Sequence, residues 1–218
     1  MTMTNSNASA GVDSRRFASD VAFTASVKAI QSRKGSRRAY GRMEEGGGWQ
    51  TAITPDLTAF IAAQTSAFIA TANVAGQPTI QHRGGPAGFL HVRDEKTIAF
   101  ADFRGNRQFI TAGNLAENPR AHLFLIDYET RQRIKIWGTA QVVEDDEDLI
   151  ARLMPPDYPA KAEQAIIFSV VAWDANCPQH IPQRFDVDTH ADAVAKALGD
   201  RDRRIVELEA EVARLRAA

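Results

Sequence analysis

Between Ser66 and Asp174 the chain passes through seven short segments rich in Phe, Ile, Val and Thr, and no other feature limits its fold as tightly. The segments are SAFIATAN, PTIQHRG, GFLHVR, TIAFADF, AHLFLID, RIKIWGTAQVV and AIIFSVVAWD, with NVAGQP and RDEKT as turns. Their spacing is that of an antiparallel meander. One helix, in GNRQFITAGNLAENP, interrupts the series and is stopped by Pro119. Strands that follow one another without the helix-by-helix rhythm of βαβ units predict a mainly β fold. The expected form is a closed or nearly closed β-barrel with peripheral helices, not a parallel sheet.

The flanks are of another texture. TPDLTAFIAAQ predicts a helix capped by Thr54, with Pro55 in its first turn and Leu57, Phe60 and Ile61 turned inward. SDVAFTASVKAIQSRKGS predicts a second, capped by Ser19 or Asp20, sharing Phe23, Val27 and Ile30 on one face and ended by Gly35. RRAYGRMEEGGGWQ has the look of a loop. The expected organisation is a disordered lead over 1–18, a barrel domain with its N-terminal helices over 19–190, and a C-terminal helix over 191–218. In that helix Leu198, Ile205 and Val212 recur at intervals of seven, and Val194, Leu208 and Leu215 occupy a second register. Arg204 stands at the offset to meet Glu209 of a parallel partner, and Glu211 to meet Arg216. Arg201 breaks the seam, so a dimer contact and a helix packed on its own domain both remain open.

Composition removes several function classes. A chain of 218 residues with 44% hydrophobic content buries one substantial core, and a formal charge of −1 gives no global pull toward nucleic acid or acidic lipid. Residues 1–42 hold eight Lys or Arg against two Asp, which EDDED at 144–148 partly offsets. A nucleic-acid arm is one use of that surplus. A solvated helix and loop packed over that acidic run is the favoured one, since no aromatic platform or recognition-helix motif accompanies the charge. A single cysteine excludes an internal disulfide. No basic start followed by an apolar run and no run of membrane length is present, so a soluble cytoplasmic protein is expected, with no membrane partner. HExxH, CxxC, GxSxG and Walker patterns are absent, so neither a metal site nor a hydrolase is expected.

Three stretches carry chemistry. In RQRIKIWGTAQVV, Ile134, Ile136, Gly138, Ala140 and Val142 form a core face, while Arg131, Arg133, Lys135 and Trp137 form a cationic, aromatic face suited to a flat anionic ligand or to solvent. In FADFRGNRQFI a strand ends at Phe103 and Gly105 permits a tight turn into a helix. That turn delivers Asn106 and Arg107 with free N–H groups at the helix start, a phosphate-binding junction. In QHRGGPAGFL, Arg83 precedes Gly84 and Gly85, which let a ligand approach the backbone closely.

Six blocks in order, SDVAFT, RKGSRRAYGRMEEGGGW, QHRGGPAGFL, FADFRGNRQFITAGNLAENPRA, IKIWGTAQVV and AWDANCPQHI, resemble the pyridoxamine 5′-phosphate oxidase-like FMN-binding proteins of the split β-barrel superfamily. The likeness is to the predicted flavin-nucleotide-binding branch and runs from about Ser19 to Phe185. The resemblance implies a homodimer of six-stranded split barrels with FMN at the subunit interface. It places Asn106 and Arg107 on the FMN phosphate with Arg104 as helper, and Arg83 and Gly84 beside the cofactor. Arg133 becomes a donor to the isoalloxazine ring, with Lys135 on the same face. Asn176 and His180 become rim residues of the flavin pocket, and Cys177 between them is better explained as a structural thiol than as a nucleophile or zinc ligand. The Arg and His with which the oxidases proper hold pyridoxal are only loosely imitated by Arg184 and His180, which argues against vitamin B6 oxidation.

The function so implied is an FMN-dependent oxidoreductase, passing hydride or electrons between flavin and a small organic substrate, with O₂ or a nicotinamide as the other partner. The alternatives are a split barrel holding deazaflavin or heme, and a non-catalytic flavin-sensing dimer.

Overall fold

One antiparallel sheet of seven strands organises the larger part of the molecule, and all seven expected strands are present in it. They are β1 (Ser66–Ala72), β2 (Pro78–Gly84), β3 (His91–Asp94), β4 (Thr97–Phe103), β5 (Arg120–Asp127), β6 (Gln132–Val143) and β7 (Ala162–Asn176). Their order across the sheet is β2-β1-β5-β6-β7-β4-β3. The computed structural model describes residues 16–176 and 178–217, so Cys177 and the first fifteen residues of the expected lead lie outside the described residues. Residues 16–126 and 133–176 form one unit, and residues 127–132 and 178–217 a second.

Alternation along the strands builds the core. Ala67 and Ile69 of β1, Leu123 and Leu125 of β5, Ile134 and Ile136 of β6, and Ile166 and Phe168 of β7 all turn inward, joined by Phe89 and Leu90 ahead of β3. The sequence of β4, apolar without alternation, has a physical reason: both of its faces are covered. Ile98 and Phe100 enter the main core, while Ala99 and Ala101 meet Leu149 and Leu153 of a helix on the other side.

The described residues form six α-helices: α1 (Ala25–Lys34), α2 (Arg37–Glu45), α3 (Pro55–Ala63), α4 (Ile110–Glu117) and α5 (Glu147–Leu153) in the first unit, and α6 (Val187–Ala217) in the second. α3 forms as expected, with Thr54 Oγ1 accepting from Leu57 N at 3.2 Å and with Leu57 and Ile61 buried. Three expectations need correction. The first helix is split: a 3-10 turn covers Ala18–Val21, and α1 starts only at Ala25 under a Thr24 cap. Its Ile30 is exposed, and its one buried side chain is the polar Gln31. The stretch expected as a loop after Gly35 contains α2, because Glu44 is drawn inward to accept from Ser19 Oγ at 3.0 Å and to pair with Arg37. The acidic run at 144–148 opens α5, where Asp146 Oδ1 caps Leu149 N at 2.8 Å and Glu147 and Asp148 complement the helix dipole.

In the second unit, Gln183 Nε2 donates to Glu129 O at 2.9 Å and Arg184 N to Tyr128 O at 3.2 Å, ahead of the 31-residue α6. No helix among the described residues is long and apolar enough to cross a membrane.

β6 and β7 pair along most of their length, with one register shift where Trp137 faces Ala172 and Gly138 faces Val170. A side chain at Gly138 would collide with the Ser169 carbonyl and come within 2.5 Å of the Phe168 ring. Gly138→Ala is therefore expected to lose about 1–3 kcal/mol of stability by overpacking. Gly113→Ala on α4, where nothing stands within 4 Å, should be neutral or stabilising. Urea unfolding of the two variants beside the parent checks both.

Candidate functional site

The site is built where the sheet curls far enough for β2 to meet β4. Arg83 on β2 brings Nε to 2.6 Å from Asp102 Oδ1 on β4, although these two strands stand at nearly opposite ends of the sheet order. The Asp102 carboxylate is buried, and its second oxygen accepts from Gln164 Nε2 of β7 at 2.8 Å. Arg83 Nη2 reaches Thr111 Oγ1 on α4 at 3.4 Å and Nη1 reaches His82 O at 3.1 Å. The Nε–H itself is buried and has no aligned acceptor, since Asp102 lies off its direction. A buried donor left in this state is costly unless a further acceptor arrives.

The turn from Arg104 to Phe109 forms the second wall. Arg107 and Phe109 are held at φ 59° and 54°, a region that non-glycine residues enter at a cost and that clusters at ligand-binding turns. This geometry corrects the expected junction. Asn106 and Arg107 precede the helix start; the first turn of α4 belongs to Ile110, Thr111 and Ala112, with Phe109 at the cap position and no side chain capping it. Asn106 Oδ1 accepts from Gln108 N at 3.2 Å and shapes the turn. α4 is aimed by Asn114 Nδ2, which donates to Thr71 Oγ1 of β1 at 3.0 Å, and by Asn118 Nδ2, which donates to Ala72 O at 3.1 Å.

Between these walls lies a shallow cleft reached by Arg83, Asp102, Arg107, Phe109, Thr111 and Glu163. A neighbouring recess shares Arg83, Phe103 and Asn106 with it and adds His82, Gly84 and Phe89. Arg104 Nε and Arg107 Nε stand 3.6 and 3.2 Å from Glu163 Oε1, and both guanidinium groups are about half exposed. The charges lining the cleft balance, Asp102 and Glu163 against Arg83 and Arg107, and Arg104 adds its charge from beside it; the three guanidinium groups are the donors an anion would meet. With the unblocked N–H groups of α4 beside them, they make an anion-binding arrangement. A Cβ at Gly84 would lie 2.9 Å from the ring of the exposed His82, which would have to move aside. No group of three or more His, Cys, Asp or Glu among the described residues is placed to hold a metal.

Thus Arg83, Gly84, Asn106 and Arg107 come together around the cleft and its recess, and Arg104 stands beside them, 3.6 Å from Glu163. Arg133 and Lys135 do not line this cleft. Lys135 is engaged on the outer side of β6, with Nζ 3.4 Å from Asp174 Oδ2 and 5.5 and 5.1 Å from the ring centres of Trp49 and Trp137. Those indoles stack at 4.4 Å and 15°, so part of the face expected to meet a flat ligand is covered by Trp49 of the same chain. Arg133 is half-buried and makes no ion pair among the described residues. Asn176 closes β7 opposite Arg133, and His180 is exposed with φ 64° in the other unit. Arg184, the loose counterpart of a substrate arginine, lies over the Tyr128 ring at 4.6 Å.

Asp102, Gln164, Thr111 and Glu163 escaped the sequence. The strand pairing that sets Asp102 against Gln164 spans 62 residues, and nothing local announces it.

The profile of the pyridoxamine 5′-phosphate oxidase family matches residues 53–176, more than half of the 218, and the chain belongs to that family. α1, α2 and α6 lie outside the matched stretch. No protein of curated function matches the chain. Among solved structures, HupZ of Group A Streptococcus is similar at 20% identity and a TM-score of 0.46, covering 61% of this chain and 99% of its own. An FMN-binding protein of Syntrophomonas wolfei subsp. wolfei is similar at 12% identity and 0.44, covering 67% and 97%. HutZ, the heme storage protein of Vibrio cholerae, is similar at 16% identity and 0.37, covering 54% and 89%.

The outer face of β6 has a pH signature. Burial, and then the charge of Lys135, push His122 down from 6.5 to about 4, and its ring meets Trp137 edge-on at 5.0 Å. Burial raises Asp174, and Lys135 offsets this only in part. A histidine whose folded pKa is depressed contributes its full stability above 6.5 and loses it as the pH falls toward 4, where only the unfolded chain takes the proton readily. The loss is expected to reach at most about 3 kcal/mol. Urea unfolding at pH 7 and pH 4.5 should show a smaller difference for His122→Phe than for the parent.

Proposed function

We propose that the chain binds FMN in the cleft between β2, the 104–109 turn and α4, and acts as a flavin-dependent oxidoreductase on a small organic substrate. The observation that carries this is a convergence. In a member of the pyridoxamine 5′-phosphate oxidase family, Arg83, Arg107 and the uncapped first turn of α4 meet at one cleft, with Arg104 beside it against Glu163.

The residues fit a phosphate-bearing ligand. Arg83 offers a buried donor without an aligned acceptor, the first turn of α4 offers backbone N–H groups, and Arg104 and Arg107 offer half-exposed guanidinium forks. Two carboxylates of the cleft oppose an anion, Asp102, which Arg83 and Gln164 already hold, and Glu163. The pairs of Glu163 with Arg104 and Arg107 are partly exposed and weak, so a dianion displaces it at little cost. Asp102 and Gln164 hold Arg83 in place, and Phe89 and Phe103 give the adjoining recess an apolar floor.

Bound flavin supplies reversible acceptance of a hydride or two electrons, which no side chain of this site provides. The protein's part is to hold the phosphate, exclude water from the recess, and place positive charge where the reduced ring carries negative charge. Arg133 is proposed for that last role, with Lys135 contributing only at a distance because Asp174 and two indoles already hold it. We also propose a homodimer with the flavin at the subunit interface, which supports bringing Arg133 of one copy to the cofactor of the other. O₂ or a nicotinamide is proposed as the second redox partner.

Arg107→Glu is expected to strip FMN from the purified protein. Arg133→Ala should retain flavin but lower its reduction potential. Flavin released by denaturation and measured against protein reports the first, and a dye-coupled redox titration the second. Equal flavin content in the parent and Arg107→Glu would refute the phosphate placement; a Soret band or a deazaflavin spectrum in the parent would refute FMN.

A further inference from the structure

α6 presents a seam with no cover among the described residues. Written as heptads, its a positions are Ala191, Leu198, Ile205 and Val212, and its d positions are Val194, Arg201, Leu208 and Leu215. Leu198, Ile205, Leu208 and Val212 are each 43–46% exposed and Leu215 72%. A shallow groove runs along Ile205, Leu208 and Val212, flanked by Glu209 and Arg216. We propose that α6 pairs in parallel with α6 of a second copy of this chain, as a two-stranded coiled coil.

Three observations choose this occupant. In the clean part of the seam, both a positions are β-branched (Ile205, Val212) and both d positions are Leu (208, 215), the distribution that favours two parallel strands. The flanks are self-complementary: Arg204 at g faces Glu209 at e of the partner helix, and Glu211 at g faces Arg216 at e. Both members of each pair lie on one chain, so a second copy satisfies all of them. In the antiparallel alternative e faces e and g faces g. The alignment that shares Ile205, Leu208, Val212 and Leu215 then opposes Glu209 to Glu209 and Glu211 to Glu211.

The polar layer at Arg201 is compatible with pairing. Arg201 lies 3.2 Å from Asp202 of its own helix, so its charge is partly met, and a single polar layer fixes register at some cost in strength. Arg204 pairs with Glu207 at 2.9 Å, an exposed contact that yields easily to an interhelical one. A seam this short is weak alone, and any other contact between the copies strengthens it by raising effective concentration.

The test is disulfide trapping in the full chain with Cys177→Ser, placing single cysteines at Ile205 (a), Leu208 (d) and the outward Val206 (b). Under mild oxidation, Ile205→Cys and Leu208→Cys are expected to form covalent dimers at least tenfold faster than Val206→Cys. Adding Glu209→Arg to Leu208→Cys should slow trapping, and adding Arg204→Glu as well should restore it. Rates at 205 and 208 no faster than at 206 would overturn the proposal. So would trapping at 208 without 205, because the antiparallel alignment above separates the two 205 positions by about 15 Å. A dimer made by the barrels alone gives no such preference, and flavin content read on the same samples reports separately on the proposed function.

Discussion

The sheet must curl until Arg83 on β2 can reach Asp102 on β4, and the candidate site exists only because it does. A charged pair partly withdrawn from water holds best when its remaining lone pairs and protons are met. Gln164 supplies one such partner to Asp102, and Thr111 and the His82 carbonyl supply two to Arg83. The same closure sets Gly85 against Phe89 and Phe103, where a Cβ would come within 2.8 Å. Strand ends, glycine turn and arginine are therefore one device: the backbone closes tightly, and the guanidinium is presented from inside it.

A second set of contacts governs the outer side of β6. Tyr40, Phe23, Trp49, Trp137 and His122 follow one another in ring contact at 4.4–5.2 Å, fastening the N-terminal helical segment to the sheet. A buried polar knot secures the same segment. Glu44 is met by Ser19 and Arg37, and Lys28 Nζ lies 2.5 Å from Asp20. Burial alone would raise Asp20, but hydrogen bonds from Lys28 and from the backbone of Phe17 and Arg16 outweigh it and hold the carboxyl below its ordinary value. Gln50 and Trp173 then continue the attachment as a β-bridge, with Trp173 Nε1 donating to Ala52 O at 2.8 Å. The charged strand face thus serves largely as a docking surface for the protein's own leading segment, and the cleft with the arginines lies elsewhere on the barrel.

What could be seen in the one-dimensional chain was whatever depends on near neighbours. Runs rich in Phe, Ile, Val and Thr between turn residues located every strand, and alternation gave the two faces of β6, where a residue and the next but one share a side. Thr54-Pro55 announced α3, and Gly35, at φ 83°, did end α1. The FRGNR and HRGG stretches bring Asn106, Arg107 and Arg83 to one cleft, each arginine beside a glycine turn. Two helices were hidden by composition, α2 by its glycines and α5 by its acids; α2 is held by the distant Ser19, which no local rule counts.

The sequence by itself determined a mainly β barrel, its strand inventory, and the cationic turn after Phe103, since these follow from periodicity and from backbone freedom within a few residues. Tertiary structure alone decided which cations share a cleft. Arg83 joins Arg107 because β2 curls onto β4, and Lys135 is taken by Trp49 and Asp174 because the N-terminal segment folds over β6. The physical reason is common to both. An ion pair or an indole stack is decided at distances of 3–5 Å, and two side chains reach that range only after loops of tens of residues have closed between them.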